Sequence, residues 1–240
     1  MLGDLLNQFL SLAMMSVLIV GLTPFIISTA AASNSLNIFP PGSQPYGIPY
    51  PEHIQNFWKW ILAIPAKDNP IDDATGEKCA TGQSNASQIF YLSPNNGGKS
   101  ERTCEVPVGK ALFLPVMPAE YSDKEAPGAS VEELTTTVKK DQDSVNSLYL
   151  KIDDKEYKYD NLTKYRTLTK PFAITWADNG PFGIVKGGNS TGVADGYYIM
   201  TEPLAIGNHT IHFKSSLICS DPDCADPNFV QDIKYNVVAK

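Results

Sequence analysis

A chain of 240 residues with a formal net charge of −7 has the length for one sizeable domain. It has no Lys- or Arg-rich run, so it lacks the basic face that a nucleic-acid backbone requires. Its three histidines, His53, His209 and His212, leave few imidazoles for a metal centre.

Residues 1–32 read as a targeting segment, outside the folded domain. The stretch from Phe9 to Ile27 is apolar apart from small residues and two hydroxyls, and Ala30-Ala31-Ala32 before Ser33 gives a small-x-small cleavage signature. A cleaved signal peptide is the favoured reading. An uncleaved anchor through residues 9–27 is the alternative, because the run approaches the ~20 residues that span a bilayer. Residues 33–52 are rich in Pro, Gly and Ser and read as a linker or lead-in to the domain at 53–240.

Ile54, Phe57, Trp58, Ile61 and Leu62 recur at helical spacing and predict an amphipathic helix, with Pro51 in its first turn and Pro65 stopping it after Ile64. Trp60 falls off the main stripe. Trp58 and Trp60, with Trp176 further on, read first as core residues and second as ligand-stacking aromatics. Asp68, Asp72, Asp73 and Glu77 then crowd a turn-rich stretch. A solvated acidic turn is the favoured reading, and a calcium site is the alternative, since calcium takes oxygen ligands from a turning backbone. No other cofactor is predicted.

From Gln88 onward the sequence predicts strands. Ile89–Leu92 is a short apolar run, Arg102–Val106 alternates, and Ala111–Val116 is apolar on both faces, with Pro115 ending its ladder. Ser130 and Glu133 form a capping box for a surface helix to about Asp141. Leu148, Leu150 and Ile152 lead into an Asp153-Asp154 turn and a returning strand. Phe172, Ile174 and Trp176 alternate. The Gly187–Gly192 stretch reads as a loop, and strands follow at Tyr197–Glu202, His209–Leu217 and Phe229–Val237. Short alternating strands with regular turns predict an antiparallel β-sandwich, Ig-like or jelly-roll-like, with one N-terminal and one surface helix.

Four cysteines, Cys79, Cys104, Cys219 and Cys224, read as two disulfides in an exported chain. Three pairings exist; the local one, Cys79–Cys104 with Cys219–Cys224, is favoured. Sequons stand at Asn85, Asn161, Asn189 and Asn208, each in a predicted loop or turn where a glycan has room.

The pieces FWKWILAIP, NPIDDATGEKCATGQS, RTCEVPVGKALFLPV, PLAIGNHTIHF and FVQDIKYNVV, in this order, resemble those of a family of exported prokaryotic proteins. The resemblance covers about Phe57 to Val238 and implies one exported domain. It carries over no catalytic residue. Members often have a cysteine near the position of Tyr121, which this chain lacks.

No nucleophile elbow, metalloprotease helix, phosphate-binding loop or dinucleotide fingerprint occurs. The favoured function is therefore a non-catalytic cell-envelope or extracellular binding or accessory protein, its partner a glycan or another envelope protein. A secreted hydrolase using carboxylates of the 68–77 loop or Asp178 and Asp195 is the second reading. A membrane-anchored accessory subunit is the third. The leader and disulfide readings predict that the mature chain begins at Ser33. Its intact mass rises by four hydrogens on reduction; a mass beginning at Met1 would instead make it an anchored protein.

Overall fold

The computed structural model describes residues 37–218 and 228–240. The leader, the 9–27 span and the Cys219–Cys224 pair lie outside the described residues. Among those described, no helix is long and apolar enough to cross a membrane.

Nine strands form two sheets. The first holds β1 (Ile89–Tyr91), β3 (Ala111–Ser122), β6 (Phe172–Trp176) and β7 (Gly188–Met200), in the order β1-β3-β7-β6. The second holds β2 (Gly98–Val106), β4 (Val145–Ile152), β5 (Lys155–Lys158), β8 (Gly207–Leu217) and β9 (Val230–Ala239), in the order β2-β9-β8-β4-β5. The fold is a β-sandwich, as the alternation predicts. It is not wholly antiparallel: β1 pairs with β3, and β2 with β9, in parallel. Both sheets are therefore mixed.

Alternation builds the sandwich interior. Leu112 and Leu114 of β3 face Leu148, Leu150, Ile211, Phe213, Ile233, Tyr235 and Val237 of the second sheet in one apolar cluster. The other face of the first sheet carries Phe113, Ile174, Trp176 and Tyr198, and α1 (Tyr50–Leu62) covers it with Ile54, Phe57, Trp58, Ile61 and Leu62. Thirteen residues make a marginal helix in isolation. Burial at roughly 1.5–3 kcal/mol for each large apolar side chain holds it in place. Its end comes at Leu62, earlier than Pro65 alone requires. The buried Asn69 amide donates to the carbonyls of Ile61 and Ile64, and Ala177 N–H donates to Leu62 O. Residues 37–49 pack on this assembly, with Ile38 bridged to Thr201 and Phe39 N–H donating to Met200 O.

Two strands run longer than the sequence suggests. β3 continues to Ser122 past Pro115, because a bulge between Pro115 and Met117 absorbs the proline beyond the reach of β1. β7 begins within the predicted glycine-rich loop. Gly192 belongs there because a Cβ would strike the Glu120 carboxyl and Ile174.

The helix α2 (Val131–Asp143) has the expected Ser130–Glu133 capping box and packs Leu134 and Val138 against Val193. Its three consecutive threonines each donate to the carbonyl four residues back. The short helix α3 (Tyr159–Leu162) closes the β5 turn.

Arg102 of β2 is 1% exposed and pins the acidic stretch to the sandwich. Its Nε donates to Asp73 O at 2.6 Å, Nη1 to Ser93 O, Pro94 O and the Tyr235 hydroxyl, and Nη2 to Ile71 O. Two residues along the same face, Cys104 joins Cys79, closing a loop of sequence separation 25. That closure contributes about 3–4 kcal/mol in the chain-entropy treatment. Gly76, at φ +94, lies where any Cβ would meet the Thr103 backbone. Replacing Arg102 by Met leaves the carbonyls of Ile71 and Asp73 without a donor and is expected to cost about 3–5 kcal/mol. Urea unfolding checks this, and a loss below about 1 kcal/mol would refute the keystone role.

Candidate functional site

The acidic loop does wrap a cation, but the cation is Arg102, held through backbone carbonyls. The carboxylate of Asp73 accepts from Thr75 N–H, the Thr75 hydroxyl and Lys78 N–H. These hydrogen bonds hold Asp73 below its ordinary pKa against the opposing effect of burial. Asp72 accepts from the Asn96 amide, Asp68 lies 3.8 Å from Lys67, and Glu77 is exposed. The four predicted calcium ligands are thus not gathered into a ligand set. Among the described residues no group of three or more His, Cys, Asp or Glu is arranged to hold a metal.

The tryptophans are bound into the fold. Trp58 Nε1 donates to the Tyr198 hydroxyl and Trp176 Nε1 to Ser190 Oγ, both buried. Trp60 stacks on Tyr91 at 5.2 Å and donates to Thr81 O. Asp195 is paired with Arg166 at 2.8 Å, and Asp178 accepts from Gly187 N–H, so neither joins a carboxyl pair. His209 meets Asp153 at 2.7 Å, His212 meets Asp232 at 2.6 Å, and the buried His53 meets Pro45 O. Of the sequons, all exposed, Asn85 lies in a turn, whereas Asn161 falls in α3, Asn189 in β7 and Asn208 in β8. The extended strands and the short helix account for these departures from the predicted loops.

A different group of residues converges at one end of the sandwich. A cleft of about 290 Å³ is lined by Trp58, Phe182, Phe229 and Tyr121 and by the acids Glu120, Glu125 and Asp141. Its size sits near the lower bound of the ~300–1,000 Å³ usual for small-molecule sites. A second cavity of about 150 Å³ shares Pro118, Ala119, Asp141 and Phe229 with it and adds Gln142. Neither wall contains a Lys, Arg or His.

Glu120 sits 7% exposed on the face of β3 that also meets Tyr198 and Ala194. Neither of its oxygens has a hydrogen-bond partner. Among the neighbouring acids, the Glu125 carboxyl acts on it most strongly. Burial, then the neighbouring Glu125, push Glu120 well above its ordinary 4.5. Burial also raises Glu125, although Ser122 donates to it from both N–H and hydroxyl. Asp141 is raised by burial and accepts from the Tyr121 hydroxyl at 2.7 Å.

The cavities collect further unpartnered groups. Both amide atoms of Gln142 and Oε1 of Gln231 are buried without a hydrogen bond. With Glu120 they make five of the six such side-chain atoms among the described residues, the sixth being the Tyr157 hydroxyl. Buried polar atoms are normally satisfied, so this concentration marks a place prepared for something else. At the rim, Phe182 is 45% exposed and held at φ 58, a left-handed conformation costly for a bulky side chain.

Glu120, Glu125, Gln142, Gln231 and Phe182 were not singled out by the sequence reading. Two carried a signal. Gln142 continues the Leu134–Val138 stripe by another four residues, and Gln231 starts the inward series Ile233, Tyr235, Val237. Each is a polar residue where the period demands an apolar one.

No protein-family model matches the chain, and no curated protein matches it. Among solved structures, the crystal structure of the cysteine protease inhibitor EhICP2 from Entamoeba histolytica aligns with 63% of this chain and 96% of its own, at 12% identity and a TM-score of 0.24. The solution structure of Amebosin aligns with 63% and 99%, at 14% identity and a TM-score of 0.21. Superpositions this loose carry no functional information.

The raised acids set a pH dependence. A carboxyl whose folded pKa exceeds its unfolded value stabilises most below the unfolded value, and that contribution is lost as pH rises. The Glu120–Glu125 pair should therefore weaken the fold as pH climbs from about 4.5 towards neutrality. Asp73 and Asp232, both lowered, act in the opposite sense and cost stability as pH falls below about 4. Glu120→Gln should flatten the loss above pH ~4.5 in urea midpoints measured across pH; parallel profiles for wild type and variant would contradict the raised Glu120 carboxyl.

Proposed function

We propose that this chain is an exported, non-catalytic binding or accessory protein of the cell envelope, and that it holds its ligand in the cleft between Trp58, Phe182 and the Glu120–Glu125 pair. The carrying observation is the gathering of buried, unpartnered polar atoms from Glu120, Gln142 and Gln231 around two adjoining cavities. Each such atom costs about 1–3 kcal/mol when left without a partner. A fold retains that cost most readily where a ligand supplies the missing bonds.

A carboxylate-dependent hydrolase is the second reading, favoured by one observation, the raised acid pair in a cleft. Glycoside hydrolysis places its two carboxyls about 5–10 Å apart, with room for sugar or water between them.

The test requires no knowledge of the ligand. Glu120→Leu and Gln142→Leu remove the unpartnered groups and conserve approximate volume. Each is expected to raise the thermal midpoint, by about 2–4 °C for every kcal/mol recovered. A fall in both would show that these side chains serve the fold and would sink the binding-site reading.

A further inference from the structure

We infer that the ligand is a small organic ammonium ion, whose cationic head is received by the Glu120–Glu125 pair between the aromatic walls of Trp58, Tyr121 and Phe182. The inference deepens, and rests on, the reading of the cleft as a binding site.

The sign of the ligand follows from the lining. Three carboxyls and four carboxamides border the cavities, with no basic side chain to balance them. An anion would meet only like charge. A bare divalent ion would need six or more oxygens at short range, and no cluster of that kind exists among the described residues. Aromatic faces do what oxygens cannot for a cation bearing alkyl groups: they attract its charge and cover its carbons. The size agrees, since about 290 Å³ accommodates a small amine and not a folded partner.

The buried acid pair has a matching chemistry. A buried carboxylate without a counter-ion is costly, so without ligand the pair keeps a proton. An ammonium head replaces that proton as the counter-charge. The proton leaves to solvent, and no covalent bond forms or breaks. The charged groups acting on Glu120 are Glu125 and Asp123, beyond β3; Tyr121 and Tyr198 beside them stay protonated. Both charged groups are carboxyls, so both favour a cation's arrival in place of the proton.

The experiment titrates the full chain with choline and, separately, with its neutral isostere, in which carbon replaces the quaternary nitrogen. NMR follows the Trp58 indole N–H and the side-chain amides of Gln142 and Gln231. Choline should move these resonances and the isostere should not. Choline affinity should rise with pH above about 4.5, by up to about tenfold per unit, the signature of one released proton. Glu120→Gln should weaken binding by about tenfold or more; if that variant does not fold, the wild-type pH series still decides. Equal binding of the isostere would overturn the ammonium assignment. So would silence from both probes when the leucine variants at Glu120 and Gln142 gain stability, which would leave the cleft a site for another ligand. Leucine variants that lose stability would overturn the site itself.

Discussion

A single guanidinium, buried without a carboxylate partner, organises the region between the two sheets. Arg102 gathers carbonyls from the turn after α1, from the segment following β1 and, through Tyr235, from the middle of β9. An isolated buried charge is costly. Here all three guanidinium nitrogens donate, to five acceptors in all, and the Tyr235 ring lies 5.5 Å from the guanidinium carbon. The disulfide beside it fixes the far end of the same loop. Together they convert an acidic, turn-rich stretch that has little apolar surface of its own into a fixed cover along β2, where Thr103 N–H donates to Thr75 O.

That anchoring sets the contrast between the two regions. Around Arg102 each guanidinium nitrogen has an acceptor. In the cleft lined by Glu120, Gln142 and Gln231, acceptors and donors stand idle and Phe182 is held in a strained turn. The same turn, Pro-aromatic-Gly, appears at Pro45–Gly47, where Tyr46 has φ 55. Among the described residues, departures from polar satisfaction thus concentrate at the two cavities, the Tyr157 hydroxyl apart. Local departures from consistency are where function is sought.

Most of the architecture was legible because one-sided burial enforces alternation. The stripes in β4, β6, β8 and β9, the apolar face of α1 and the Ser130 capping box appear where the sequence puts them. Parallel pairing was not legible: nothing within β1 or β2 states which distant strand will lie beside it. The bulge in β3 was hidden for a related reason. Before it, odd-numbered residues such as Phe113 face α1; after it, Glu120 does, opposite Ala194. A one-residue slip exchanges the faces, so alternation counted from Ala111 assigns Glu120 to the wrong side. Arg102 appears in the sequence only as the first residue of an alternating strand. Its burial depends on carbonyls, which no side-chain pattern displays.

The position of β9 has a consequence for assembly. This strand lies between β2 and β8, so β2, over a hundred residues upstream, has no ladder until β9 exists. Arg102 likewise lacks its Tyr235 partner until then. A newly made chain can form α1, the β4–β5 hairpin and the Cys79–Cys104 crosslink early, yet the second sheet closes only when its last strand arrives. Pairings so distant in sequence form slowly. A strand that arrives last keeps the second sheet open until nearly the whole domain has been made.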